Sequence, residues 1–357
     1  MESKKIILIA GPCSAESEKQ VLETAKDLAQ LSTQISYFRA GLWKPRTRPN
    51  TFEGVGEKGI PWLLAVKETT GLRVIVEVAC PRHLEAVLKS GIDAVWVGAR
   101  TTTSPFAVQA LADALKGCNI PVFIKNPVNP DLQLWLGAIE RVQSAGIQRI
   151  FAIHRGFSGI EKSNFRNPPQ WQIAIEFKRI REDIPLLCDP SHICGNKTLI
   201  PAVAQQALDL NMDGLMIETH CNPQQALSDA KQQITPLALQ QLLRQLVVRK
   251  ETSNNAFFEY ILEEYRNQIN KIDAEIIHLL AQRMKFIHKI ANLKKENEVT
   301  ILQLRRWNEI LQNCMRQAEQ LGLNYEFLYQ LFDLIHNEAI TQQAFLMNRS
   351  ENEVFSG

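Results

Sequence analysis

Long hydrophobic runs are missing from this 357-residue chain. No window approaches the ~20 apolar residues that a membrane-spanning helix needs, so no membrane partner is expected. The opening residues, MESKKIILIAGP, hold too short an apolar run for a secretory leader and no small-residue cleavage pattern. An excess of one charge is also missing. Lys and Arg number 40 against 38 Asp and Glu, and no basic tail stands out, which argues against a nucleic-acid partner. Cysteine is sparse: seven residues, an odd number at scattered spacing. That excludes a disulfide framework and points to reduced thiols in the cytoplasm. A glycine-rich G-x-G-x-x-G first turn is absent too, which sets aside the nucleotide-binding open sheet.

What is present is alternation. Up to about residue 250, short β-rich runs recur at 6–12, 35–41, 73–79, 94–100, 121–127, 149–156, 185–192 and 214–220, with amphipathic stretches such as EKQVLETAKDLAQL between them. Near-continuous apolar strands alternating with helices read as a parallel sheet covered by helices. Eight such units in ~250 residues predict an α/β chain with a (β/α)8 TIM barrel over 1–250. The polar stretch RKETSNNA then suggests a linker at 251–256. From 257 to the C-terminus at 357 the rhythm becomes helical. Residues 257–297 contain no Pro or Gly and carry apolar residues at helical spacing. A helix of ~40 residues would span roughly 60 Å. Two shorter stretches follow at 301–321 and 325–345, broken near Gly322. Two short helices cannot cover so long a stripe, so a homodimer or higher homo-oligomer through this domain is expected.

Barrels of this class carry their chemistry at the C-terminal strand ends. Those ends read Cys13, Arg39, Glu77, Arg100, Lys125, His154 with Arg155, Asp189 with His192, and Glu218. The cations Arg39, Lys44, Arg46, Arg48, Arg100, Lys125 and Arg155 are a local concentration in a chain of net charge +2. Guanidinium forks match phosphate and carboxylate, so strongly anionic ligands are implied. Cys13, His192, Glu218 and Asp229 form a mixed S/N/O set suited to a divalent transition metal. Cys188, Cys194 and Cys221 read as packing residues.

The segments GPCS, RAGLWKPRTRPNTFEG, VGART, IKNP, HRG, CDPSH and IETH with ALSDA resemble, in this order, the family of 3-deoxy-arabino-heptulosonate 7-phosphate (DAHP) synthases of the shikimate pathway. The resemblance implies condensation of phosphoenolpyruvate with erythrose 4-phosphate to DAHP and inorganic phosphate. It implies Cys13, His192, Glu218 and Asp229 as ligands of one divalent ion. Manganese is the family expectation, and Fe2+, Co2+ or Zn2+ also suit such a set. Arg100, Lys125 and Arg155 match the phosphoenolpyruvate residues, with Arg39 and Lys44 beside them. Arg46 matches the erythrose phosphate contact, Asp189 lies near that substrate's hydroxyls, and Lys44 is a candidate for proton handling. The sister family that uses arabinose 5-phosphate carries Asn where Pro45-Arg46 stand here. No regulatory domain is expected before the first strand.

The segments YRNQINKIDAEIIHLLAQRMKFIHKIANLKK and ITQQAFL resemble the all-helical class of chorismate mutase. That match implies a site of Arg266, Arg283, Lys294, Arg306 and Gln342, with Lys294 and Gln342 at the ether oxygen of chorismate and no cofactor. The chain departs from the pattern at Gln303, Trp307 and Glu338. The alternative is a non-catalytic module that binds prephenate or chorismate as an effector of the synthase and dimerises the chain. At ~100° and 1.5 Å per residue, Arg283 and Lys294 lie ~20° and roughly 16 Å apart, within reach of one ligand. Arg266 lies ~100° and roughly 25 Å from Arg283, so it is expected to serve the partner's site.

Overall fold

The computed structural model describes residues 6–31, 35–44, 51–159 and 163–348. The chain divides into two compact units, 1–251 and 252–357. In the first, eight parallel strands close into a barrel in sequence order: β1 Ile7–Gly11, β2 Tyr37–Arg39, β3 Val74–Val78, β4 Ala94–Val97, β5 Val122–Lys125, β6 Ile150–His154, β7 Leu186–Cys188 and β8 Gly214–Glu218. Each β-rich run of the sequence contains one of them. Closure is made by β8 against β1, in register from Ile7↔Gly214 to Gly11↔Glu218.

The pleat sorts the side chains. Ile9, Tyr37, Ile75, Trp96, Phe123, Leu187 and Met216 point inward and fill the barrel. Their neighbours, such as Leu8, Phe38, Val76 and Ile124, point outward against the helices. Helix ends are set by local chemistry. The Ser17 hydroxyl accepts from Gln20 N and starts Glu18–Ala29; the Asp131 carboxylate accepts from Leu134 N and starts Leu132–Ser144. Gly11, the last residue of β1, has φ +141°, and a Cβ there would lie 2.1 Å from Arg39 O. Only glycine lets β1 come so close to β2 where the site begins.

The same pleat corrects one expectation. His154 was read as facing the mouth, but it shares the outward phase of Ile150 and Ala152 on β6. It packs against Trp135, Phe157 and Trp171. Burial, with Arg155 adjacent, lowers its pKa to about 3, so it is neutral and apart from the chemistry.

The second unit is three helices: Ala256–Glu296, Leu304–Leu321 and Tyr325–Asn348. The Asn255 side chain accepts from Phe257 N and Phe258 N and caps the first. Gly322, with φ +67°, ends the second. Ala291 alone is buried within the 41-residue first helix, while Ile269, Ile272, Ile276 and Leu279 are about half exposed or more within the chain. None of the described helices is long and apolar enough to cross a membrane.

Trp135 anchors the outer layer: it is fully buried, its Nε1 donates to Ile124 O at 3.2 Å, and its ring stacks on Phe177 at 4.3 Å. Trp135→Ala should cost the barrel about 3–5 kcal/mol, through a cavity and an unpaired carbonyl at β5. Urea titration followed by far-UV circular dichroism checks this as a lowered midpoint of the barrel transition.

Candidate active sites

The top inward layer of the barrel is charged rather than apolar. Arg39, Glu77, Lys125 and Glu218 continue the inward phase of Tyr37, Ile75, Phe123 and Met216. Bare burial of such groups is costly, so each pairing matters. Arg39 Nη2 donates to Glu218 Oε1 at 3.0 Å, and both are essentially without solvent contact. Lys125 Nζ lies 2.7 Å from Asp189 Oδ2. His192 Nδ1 lies 2.8 Å from the same oxygen, and His192 N donates to Asp189 Oδ1 at 3.0 Å. Burial raises the Asp189 pKa, but His192 and Lys125 win and hold it well below the usual carboxylate range. Burial lowers Lys125 and His192, and Asp189 offsets part of that.

Beside this floor, Cys13 Sγ donates to Asp229 Oδ2 at 3.3 Å. Ligand atoms of Cys13, Glu218 and Asp229 all lie within 4.8 Å of one another. His192 Nε2 stands 3.7 Å from Glu218 Oε1. Burial lowers the His192 pKa, and Nε2 is the ring nitrogen that stands toward Glu218. Burial, then the Glu218 charge, pushes the Cys13 thiol up to about 12. Burial opposes ionisation of Glu218 and Asp229 too, but the neighbouring His192, then Arg39 at Glu218 and Arg166 at Asp229, hold both pKa values down. A thiol and two carboxylates converging at one point, with an imidazole beside one of them, fit a divalent transition ion. The Cys13, Glu218 and Asp229 trio is the candidate metal site.

Above it lies a cavity of about 310 Å³ whose wall includes Lys44, Arg100, Lys125, Arg155 and Arg166, with Glu77, Asn167, His192 and Asp229. Arg155 donates to the neutral oxygens Asn167 Oδ1 (2.8 Å) and Gly156 O (3.4 Å), and burial lowers its pKa to about 10. Lys44 Nζ donates to Cys13 O at 2.9 Å. Burial lowers its pKa, but Cys13, Glu77 and Glu218 outweigh this and raise it.

The helical unit holds a second cavity of about 270 Å³, walled by Arg283, Lys294, Gln303, Arg306, Trp307, His336, Ala339 and Gln343 among others. Trp307 and His336 stack at 3.9 Å and 9°. Arg283 Nη1, His336 Nε2 and Gln343 Oε1 are buried there without a hydrogen-bond partner among the described residues. The Lys294 ammonium, whose pKa burial lowers, donates to Ile301 O at 2.6 Å.

A DAHP synthetase I family model matches residues 2–254, and a chorismate mutase type II model matches residues 265–344. The chain belongs to the DAHP synthetase I family. A chorismate mutase type II domain follows its barrel. The chain is similar to a phospho-2-dehydro-3-deoxyheptonate aldolase of Thermotoga maritima, at 30% identity over 67% of this chain and 68% of that one. It is also similar to a 2-dehydro-3-deoxyphosphooctonate aldolase of Legionella pneumophila, at 29% identity over 70% of this chain and 93% of that one. The crystal structure of the Thermotoga DAHP synthase superposes with a TM-score of 0.59 at 29% identity, over 67% of each chain.

In the DAHP synthase barrel, the structure brings Cys13, Glu218 and Asp229 together, with His192 Nε2 3.7 Å from Glu218, and Lys44, Arg100, Lys125 and Arg155 onto one cavity. Two expected substrate contacts sit elsewhere. Arg39 is part of the charged floor, bound to Glu218, and Asp189 is paired with Lys125 and His192; neither is on the cavity wall. Arg46 and Arg48 lie outside the described residues. The sequence reading missed Arg166, which donates to Asp229 Oδ1 (3.0 Å) and Gln232 Oε1 (2.8 Å), and Gln232, whose Nε2 donates to Glu218 Oε2 at 2.7 Å. Arg166 sits on a loop and Gln232 ends the 3-10 turn Ala230–Gln232, segments too short or irregular for periodicity to mark. Cys188 and Cys194 are buried in the apolar layer, and Cys221 is partly exposed.

In the mutase domain, Arg283, Lys294 and Arg306 line the cavity, while Arg266 is exposed beside Glu263. Gln342 was the expected glutamine, but it meets His288 Nε2 at 2.7 Å and donates to Glu338 Oε1 at 2.6 Å. Gln343 and Ala339, one position on, face the cavity instead. One residue is ~100° of helix, so Glu338 leaves the wall with Gln342.

The protonation states give a signed test. Glu218, Asp229 and His192 are already in ligand form at neutral pH, and Cys13 is not. Cation binding to the thiolate should release one proton, so affinity should rise about tenfold per pH unit between about pH 6.5 and 8. Calorimetry of Co2+ binding in buffers of different ionisation enthalpy measures the protons released. A count of zero would remove the thiol from the ligand set.

Proposed function

We propose that the barrel condenses phosphoenolpyruvate with erythrose 4-phosphate, using a divalent ion on Cys13, His192, Glu218 and Asp229. The observation that carries this reading is the juxtaposition of a five-cation cavity wall with the Cys13/Glu218/Asp229 trio. When bound, the ion supplies a Lewis acid that polarises the aldehyde carbonyl. Arg100, Lys125, Arg155 and Arg166 hold the phosphate and carboxylate of the enolpyruvate against the charge of the second substrate. Arg155, bonded to neutral oxygens, keeps its full charge for that ligand. The enolpyruvate methylene carbon bonds to the aldehyde carbon, water adds at the adjacent carbon, and the C–O bond to phosphate breaks. Lys44, kept protonated on the wall beside Cys13, holds a proton at the aldehyde oxygen.

Purified protein should turn over erythrose 4-phosphate and not arabinose 5-phosphate. Chelation, or Cys13→Ala, should abolish that activity and leave chorismate turnover intact. A preference for arabinose 5-phosphate would overturn the substrate assignment, and a full rate for Cys13→Ala would overturn the metal one.

We further propose that the helical domain rearranges chorismate to prephenate. Arg283 and Arg306 face a cavity sized for a small dicarboxylate, and Lys294 with Gln343 offers donors for the ether oxygen. The Trp307–His336 stack and Gln303, in place of acids, favour a second reading in which the cavity binds prephenate or chorismate to regulate the synthase. Either way Arg266, off its own cavity, serves the site of a partner chain in a homodimer. Mixing Arg266→Ala and Arg283→Ala chains under subunit exchange should restore mutase activity toward one intact site per heterodimer. Heterodimers that form and stay inactive would refute the shared site. Prephenate binding without any chorismate turnover would favour the second reading.

A further inference from the structure

Cys13 and Asp229 belong to loops 216 residues apart in sequence. The ladder between β1 and β8 fixes their approach as far as Gly11↔Glu218; beyond it the chain after Asp229 returns to β8 through the single bridge Thr219↔Ile234, which does not include the Cys13 loop. Gln233 bridges the gap. It is fully buried, its Oε1 accepts from Cys13 N at 3.0 Å, and its Nε2 donates to Ser228 O at 2.8 Å. One amide thus holds the backbone of one ligand and the residue next to the other. Asp229 itself has φ +49°, a left-handed conformation that a non-glycine residue keeps only when its surroundings over-determine it. Two side contacts run parallel to the bridge: Ser14 Oγ meets Ser228 Oγ, and Leu227 N donates to Glu16 Oε1 at 2.9 Å. Gln233 is not part of the cavity wall, and these two bonds go to backbone atoms.

We propose that Gln233 is a positioning residue of the metal centre, whose amide sets the separation of Cys13 from Asp229 and thereby the affinity for a divalent cation. The inference rests on the reading of Cys13, His192, Glu218 and Asp229 as a cation site. Its chemistry is specific: the bridge needs one acceptor and one donor at the end of a three-carbon arm. Methionine has the length and neither function. Glutamate keeps the acceptor for Cys13 N but sets a carboxylate against Ser228 O.

The test is Co2+ binding to the full chain, by competition with a chelator of known affinity, with the thiolate-to-cobalt charge-transfer band as signature. Gln233→Met should bind about 10- to 100-fold more weakly, with a diminished band, and Gln233→Glu should fall between it and the parent. Leu111→Ala, a buried truncation on the helix Pro105–Leu115, should keep the parent affinity although it is less stable. The proposal is overturned if folded Gln233→Met binds within about twofold of the parent with an unchanged band, because an outer-shell partner is expected to matter more than that. It is equally overturned if Leu111→Ala weakens binding as much, since the effect would then be general loss of stability. Should Gln233→Met fail to fold, Gln233→Glu is judged by the same criterion. A parent protein with no cobalt band would instead sink the metal reading beneath it.

Discussion

Closure of β8 onto β1 is the constraint on which everything at the mouth depends. The two strands are joined in register over five residue pairs, ending at Gly11↔Glu218. A Cβ on Gly214 would lie 2.1 Å from Ile7 O, so even the start of that seam needs glycine. Because the seam ends level, the loop carrying Cys13 and the loop carrying Asp229 leave the sheet side by side. A thiol near the start of the chain and carboxylates beyond residue 217 then share one point in space. An open sheet of the same strands would keep β1 and β8 at opposite edges.

The floor beneath that point is an expensive construction. Arg39, Lys125, Asp189 and Glu218 are almost wholly removed from water, and desolvation costs several kcal/mol per ion before pairing repays it. The repayment comes from alternation of sign: Arg39 on Glu218, then His192 and Lys125 on Asp189. The result is a set of dipoles and charges already oriented before any ligand arrives, which is what electrostatic stabilisation of developing charge requires. Asp189 is the hub of this arrangement. Its carboxylate accepts from the backbone N of His192 and from Nζ of Lys125, two residues that face the cavity.

The eight strands were legible because parallel barrel strands are buried on both faces and read as apolar runs bounded by polar turns. The three helices were legible from an unbroken period and one glycine. What the sequence hides is phase. An apolar run does not show which residues face the axis, so His154 read like its neighbour Arg155 although the pleat turns it outward. For Arg39 and Asp189, which do face the axis, what the sequence hides is the buried partner that each one takes. On the last helix, Gln342 and Gln343 are equivalent as letters, and only packing against the first two helices decides between them. Arg166, Gln232 and Gln233 were illegible for another reason. They lie on connecting segments, where position follows from tertiary contacts and no spacing rule applies.

The phase of that last helix constrains how the gene can change length. An extra codon upstream of it within the helix would rotate all that follows by ~100°. Gln342 would then replace Gln343 on the cavity wall, but the carboxylate of Glu338 would arrive where Ala339 now stands. A lost codon would be worse, bringing Ala344 to the wall and leaving it without an amide. The turn at Gly322 is different: a left-handed glycine with nothing within 4 Å of the Cβ position can lengthen without turning either helix. A change of one residue in length is therefore accommodated at the turn and not within the helix, where the doubled glutamine keeps an amide on the wall for an insertion only.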